Sequence, residues 1–78
     1  MPADLPGESR IDDELLRIGQ QIRRARERRG LTQERVFLAI PMNRSHYQEI
    51  EAGQANPTLR TLLRIAHAID VPLAELVG

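Results

Sequence analysis

Four hydrogen-bonding side chains, Arg44, Ser45, Gln48 and Glu49, fall on one face of a short segment, and no other grouping in the 78 residues offers comparable chemistry. At 100° per residue, Arg44, Gln48, Ala52, Ser45 and Glu49 span an arc of about 140°, whereas His46, Ile50, Tyr47 and Glu51 lie on the other side. One face is suited to packing and the other to reading a surface by hydrogen bonds. Reaction chemistry has no such foothold. The chain has no cysteine, which excludes a thiol nucleophile, a disulfide framework and cysteine-ligated zinc. Its two histidines, His46 and His67, are far apart and poorly accompanied by other ligand types, so no metal site is expected. His46, next to Ile50 on the wheel, is expected to pack half-buried, and His67, in helical spacing from Leu63, to sit at the surface or rim. Asp12, Asp13 and Glu14 read as complements to a helix dipole rather than as paired catalytic acids. The expectation is a protein that is not an enzyme, with no cofactor and no small-molecule substrate.

The elements that must position this face are helical throughout. Leu15, Ile18, Ile22 and Ala25 recur at spacings of three and four, which predicts a helix from about Asp12 to Arg29 with acids in its first turn, arginines in its last and Gly30 as its stop. Arginines 23, 24, 26, 28 and 29 read by default as a solvated helix end that complements the dipole, with a phosphate contact for one or two of them as the alternative. Thr32 can cap a second helix through about Ala39, with Val36 and Ile40 inward, and Pro41 closes it because a residue before proline is pushed out of the α region. Asn43 is a good cap for a third helix ending at Gly53, in which Tyr47 and Ile50 share a face. Thr58 then caps a fourth, with a stripe of Leu59, Leu62, Leu63, Ala66 and Ile69. Pro72 opens a short fifth helix carrying Leu73, Leu76 and Val77. Residues 1–10, with two prolines and a glycine, read as a flexible arm ahead of a domain at 11–78. The fold class expected is all-α, a compact five-helix bundle.

A chain of 78 residues is one domain near the lower size limit for a self-sufficient core. Nothing in it approaches the roughly 18 uninterrupted apolar residues of a membrane span, and the expectation is a soluble cytoplasmic protein with no membrane partner. Formal net charge is zero, which at first argues against a polyanionic partner. The distribution alters that. Residues 1–14 hold five acids against Arg10, so residues 15–78 hold ten arginines against six acids, an excess of four positive charges. Every basic residue is arginine, which reads first as the mark of a GC-rich genome, although arginine is also the better bidentate partner for phosphate and base edges.

Helix, tight connection and a second helix with a polar outer face form the pattern of a helix-turn-helix. The segments "IRRARERRGLTQERV" and "NRSHYQEIEAGQANPTLRTLLRIAHAIDVPLAEL" resemble the Cro/cI-type, or XRE-type, helix-turn-helix regulators over about residues 18 to 77. The marks are Gly-Leu-Thr-Gln at 30 to 33, Ile50-Glu51-x-Gly53, Asn56-Pro57-Thr58 and the run from Leu62 to Ala68. The resemblance implies a lambda-repressor-like fold and a transcription regulator that binds double-stranded DNA, and because one recognition helix covers only a few base pairs, a homodimer on a pseudo-palindrome is expected. It implies that Arg44, Ser45, Gln48 and Glu49 face base edges in the major groove, and that Gln33 bonds a phosphate. It further implies a phosphate at the start of the fourth helix, with Asn56, Thr58 and Arg60 around it. Side-chain chemistry agrees, since arginine suits guanine O6 and N7 and glutamate can accept from cytosine N4. The resemblance also implies a structural ion pair between Arg26 and Glu51.

Three positions depart from the family pattern. Phe37 stands where a small residue is usual, Pro41 where glycine is usual in the turn, and Tyr47 where Ile or Val is common. A bulky ring and a proline here either offset one another by opening the helix crossing or mark a surface turned to another use. The alternative reading is a protein-interaction module on the same scaffold, such as an antitoxin or coactivator. If two copies bind DNA, Leu73, Leu76 and Val77 are expected to form their interface.

Overall fold

Side-chain caps start the three central helices. Thr32 accepts from the Arg35 N–H at 3.1 Å, Asn43 from the His46 N–H at 3.2 Å, and Thr58 from the Thr61 N–H at 3.1 Å. Each residue holds an extended backbone while its oxygen satisfies a donor that the helix cannot. The computed structural model describes residues 7–78 and contains α1 (Glu8–Arg28), α2 (Gln33–Ala39), α3 (Arg44–Glu51), α4 (Leu59–Ile69) and α5 (Leu73–Val77), with no strand among those residues. The all-α, five-helix fold is therefore as expected. One boundary differs. α1 starts at Glu8, four residues before Asp12, because Gly7 adopts a left-handed φ of 92° and its carbonyl accepts from the Ile11 N–H at 2.9 Å. Glu8 to Arg10 thus belong to the helix, and the rest of the expected arm, residues 1–6, lies outside the described residues.

The turn between α2 and α3 closes around Pro41. Proline has no N–H to return to α2, and the next residue supplies it: the Met42 N–H reaches the Phe37 carbonyl at 2.9 Å. At the other end of α3, Gly53 takes a φ of 75° while Gln54 and Gly53 donate to Glu49 and Ile50.

All five helices contribute to one core of Ile22, Ala25, Val36, Phe37, Tyr47, Ile50, Leu62, Ile65, Ala66, Ile69 and Leu76. Full burial of such a side chain is worth about 1.5–3 kcal/mol, so this core is what allows a small chain to fold. The stripe expected on α4 needs correction. Leu59 is 62% exposed and Leu63 48%, whereas Ile65 is fully buried. Both flanks of the Leu62–Ala66–Ile69 line are apolar, so helical period alone cannot choose between them, and the tertiary packing buries the Ile65 flank.

α1 runs closely over the carboxyl end of α3. A Cβ on Gly19 would lie 2.5 Å from the Glu51 carbonyl oxygen and 2.6 Å from that of Ile50. Glycine here sets the distance between α1 and α3, and with it the reach from Arg26 to Glu51. Arg17 and Gln21 on α1 donate to the carbonyls of Val77 and Leu76 at 3.0 and 2.8 Å, which satisfies the end of α5.

Candidate nucleic-acid interface

α3 divides as its sequence implied. Tyr47, Ile50 and Glu51 are buried, and Arg44, Ser45, Gln48 and Glu49 are exposed along the opposite side. His46 does not pack half-buried as expected, for it is exposed. The buried residues Ile50, Tyr47 and Glu51 span only about 100° of the helix, and His46 lies about 40° beyond them. The residue types of an eight-residue helix cannot reveal how wide an arc its neighbours will cover. His67 is exposed, as expected.

The expected ion pair forms, and it organises the inner side of α3. Arg26 grips Glu51 with two parallel bonds, Nε to Oε2 at 2.8 Å and Nη2 to Oε1 at 3.1 Å, and its Nη1 donates to the Leu31 carbonyl at 2.9 Å. Fork-to-carboxylate geometry is the strong form of this interaction. Glu51 also accepts from the Tyr47 hydroxyl, and from Gln33 Nε2 at 3.0 Å. Burial alone would push the Glu51 carboxyl up, but hydrogen bonds from Arg26, Tyr47 and Gln33 outweigh it and hold the group below the ordinary carboxylate value. The bond to Glu51 raises Arg26 further, and burial followed by the same carboxylate pushes the Tyr47 phenol well up. The pairing thus favours the charged form of both groups, and among the described residues no buried side-chain polar atom lacks a partner.

This network extends to the outer face. Gln33, half-buried at the start of α2, is held by Glu51 and accepts from Gln48 Nε2 at 3.3 Å. Arg44 makes two contacts with α2: Nη2 to Glu34 Oε2 at 3.2 Å, and its guanidinium carbon over the Phe37 ring at 5.2 Å from the centroid. Phe37 is buried, with the Tyr47 ring 6.3 Å away and tilted by 47°. The structure therefore gathers Gln33, Arg44 and Gln48 at the junction of α2 and α3, with Ser45 and Glu49 on the same exposed side of α3. Asn56, Thr58 and Arg60 are exposed at the entry to α4, and no side-chain hydrogen bond joins them to the α3 residues. Thr58 occupies one of the first N–H groups of α4, while those of Leu59 and Arg60 keep the open ends that every helix start has.

Sequence reasoning missed Glu34 as a partner of Arg44, the hydroxyl bond from Tyr47, and Gly19. The Tyr47 bond had a signal, because a tyrosine four residues before a buried glutamate on one helix face is within reach of it. Of the arginines read as a solvated helix end, Arg26 is buried in its pair with Glu51, whereas Arg23, Arg24, Arg28 and Arg29 are exposed as expected; Arg28 also pairs with Glu75 at 3.1 Å, and Arg29 donates to the Asp70 carbonyl at 2.6 Å.

A bundle with this junction is the architecture of a DNA-binding transcription regulator. The family model described as Helix-turn-helix matches residues 22–76, and the chain belongs to this family, in its XRE-type branch. It is 37% identical over 60 residues to an uncharacterized HTH-type transcriptional regulator, y4dJ, of Sinorhizobium fredii, covering 77% of this chain and 78% of that one. It is 34% identical over 61 residues to the immunity repressor protein of Bacillus phage phi105, covering 78% of this chain but only 42% of the repressor. The crystal structure of the restriction-modification controller protein C.AhdI from Aeromonas hydrophila superposes with a TM-score of 0.78 at 34% identity, over 82% of this chain and 97% of that one. No helix among the described residues is long and apolar enough to cross a membrane.

Proposed function

We propose that this regulator reads a specific DNA sequence by laying α3 in the major groove, with Arg44, Ser45, Gln48 and Glu49 at base edges. Gln33, Asn56, Thr58 and Arg60 contact the flanking phosphates. The observation that carries the reading is the polarity of α3: one side is locked into the core through Tyr47, Ile50 and the Glu51–Arg26 pair, and the other presents four donors and acceptors to solvent. Helix starts attract phosphate through free N–H groups and the dipole, which suits the entry to α4.

One helix spans only a few base pairs, too little for a genomic site, so two copies bind a pseudo-palindrome about 34 Å apart. Of the residues expected at their interface, Leu76 is buried in its own core, whereas Leu73 and Val77 are only partly buried and retain surface for a second copy. The test compares Arg44→Ala with Gln33→Ala on operator and scrambled duplex at matched salt. Arg44→Ala is expected to cost about 1–3 kcal/mol on operator alone, and Gln33→Ala to weaken both duplexes by similar factors. Equal weakening of both duplexes by Arg44→Ala would reduce that residue to a phosphate clamp.

One observation favours the alternative of a protein-interaction module. A groove between the end of α2 and α4 is lined by Ile40, Pro41, Leu59 and Leu63, with Arg60, Arg64 and His67 at its margins, and the two leucines are largely exposed.

A further inference from the structure

We propose that Glu34 and Phe37 act as a clamp that orients the Arg44 guanidinium for guanine, and so determine how sharply this protein discriminates one base pair. The inference rests on the reading of Arg44 as a base-contacting residue. An exposed arginine at the start of a helix ordinarily samples many rotamers, and ordering it on binding consumes affinity. Arg44 is held from two directions before any ligand arrives. The Phe37 ring lies against its guanidinium carbon at 5.2 Å, and Glu34 Oε2 takes an N–H at 3.2 Å. The ring is itself buried, only 5% exposed, with the Tyr47 ring beside it. Arg44 nevertheless remains 61% exposed at its side chain, so the clamp does not hide it.

The chemistry of the remaining donors gives the clamp its consequence. A guanidinium carries five N–H groups, and the single bond to Glu34 leaves enough for two parallel bonds elsewhere. Guanine offers O6 and N7 as two acceptors in the plane of the base, whereas a phosphate oxygen accepts from almost any direction. Fixing the plane of the guanidinium therefore helps the guanine contact far more than a phosphate contact. Glu34 adds a repulsive element, because its carboxylate opposes a phosphate placed where it could draw Arg44 away. The small residue usual at position 37 has no ring face to supply, so the substitution that departs from the family pattern is the one on which the clamp is built.

The test uses the whole chain and a duplex selected from random DNA, compared with the same duplex in which the half-site G·C pairs are replaced one at a time by A·T. Variants are Glu34→Gln, which alters an exposed residue, Phe37→Leu, checked for folding by circular dichroism, and Arg44→Ala. In the free protein, NMR should show the Arg44 δ-methylene protons shifted upfield by the ring, and Phe37→Leu should return them to ordinary positions. Preference for one G·C pair should fall by about fivefold or more in Glu34→Gln and in Phe37→Leu, and vanish in Arg44→Ala. Unshifted δ protons in the wild-type chain would overturn the clamp without reference to DNA. So would a preference that survives both clamp variants but is lost in Arg44→Ala, an outcome that leaves the base-reading assignment standing. Equal tightening on both duplexes in Glu34→Gln would show a carboxylate that merely repels phosphate, and would also overturn it. A preference that persists in Arg44→Ala, or a selection that enriches nothing, would remove the base-reading assignment itself and the clamp with it.

Discussion

Replacing Arg26 with methionine keeps most of the side-chain volume and removes the charge that neutralises Glu51. In the native fold Glu51 is nearly sealed, with its side chain 4% exposed and that of Arg26 10% exposed, so the variant strands a carboxylate in the interior. Breaking a buried pair from one side costs about 3–5 kcal/mol. For a domain of this size each kcal/mol moves the melting temperature by about 4–8 °C, so the loss reads as a drop of about 12–40 °C. The sign of its pH dependence is a stricter test. The folded-state value of Glu51 is depressed below its ordinary 4.5, so the carboxylate contributes stability that is present above that value and lost as pH falls through the folded one. Without Arg26, burial gains ground and the folded-state value rises, so protonation relieves the penalty. Urea titrations at about pH 7 and about pH 4.5 should therefore show the gap between wild type and variant narrowing in acid. A loss below about 1 kcal/mol at neutral pH, or a gap that is constant or widens in acid, would refute a buried, charge-compensated pair.

Two further substitutions probe how α3 is placed. Gly19→Ala drives a methyl group into the Glu51 and Ile50 carbonyls and should cost about 1–3 kcal/mol in denaturant titration, although α1 gains a better helix former; a neutral or stabilising result would show that α1 and α3 separate freely. Asn43→Ala removes the cap on the His46 N–H and should destabilise by about 1 kcal/mol, seen as a lower urea midpoint with unchanged slope, and no shift would mean that the first turn of α3 is held from elsewhere.

Local chemistry made much of this readable before any coordinates. Thr32, Asn43 and Thr58 each precede a helix and can satisfy its first donors, so the starts of α2, α3 and α4 fall where the residues place them. Arg26 and Glu51 were readable as a pair only through resemblance, since 25 residues separate them and nothing local joins them. Leu59 and Leu63 were misplaced because a helix with an apolar stripe wider than its contact leaves the choice of flank to its neighbours. His46 failed for the same reason in reverse, since the covered arc of α3 is narrower than its apolar character suggests. The early start of α1 depended on Gly7 turning left-handed, and Gly7 among prolines had read as part of an arm. Glu34 and Arg44 lie ten residues apart across a turn, and their meeting depends on the crossing of α2 and α3 around Phe37.

Selection of bound sites from random duplex DNA, followed by affinity measurement at fixed salt, decides whether α3 reads sequence. The expected result is an enriched pseudo-palindrome whose half-sites lie about 34 Å apart, bound at least about a thousandfold more tightly than random duplex, with a G·C pair whose contribution disappears in Arg44→Ala. Recovery of unenriched sequence, with affinity that follows salt alone and is indifferent to base composition, would contradict it.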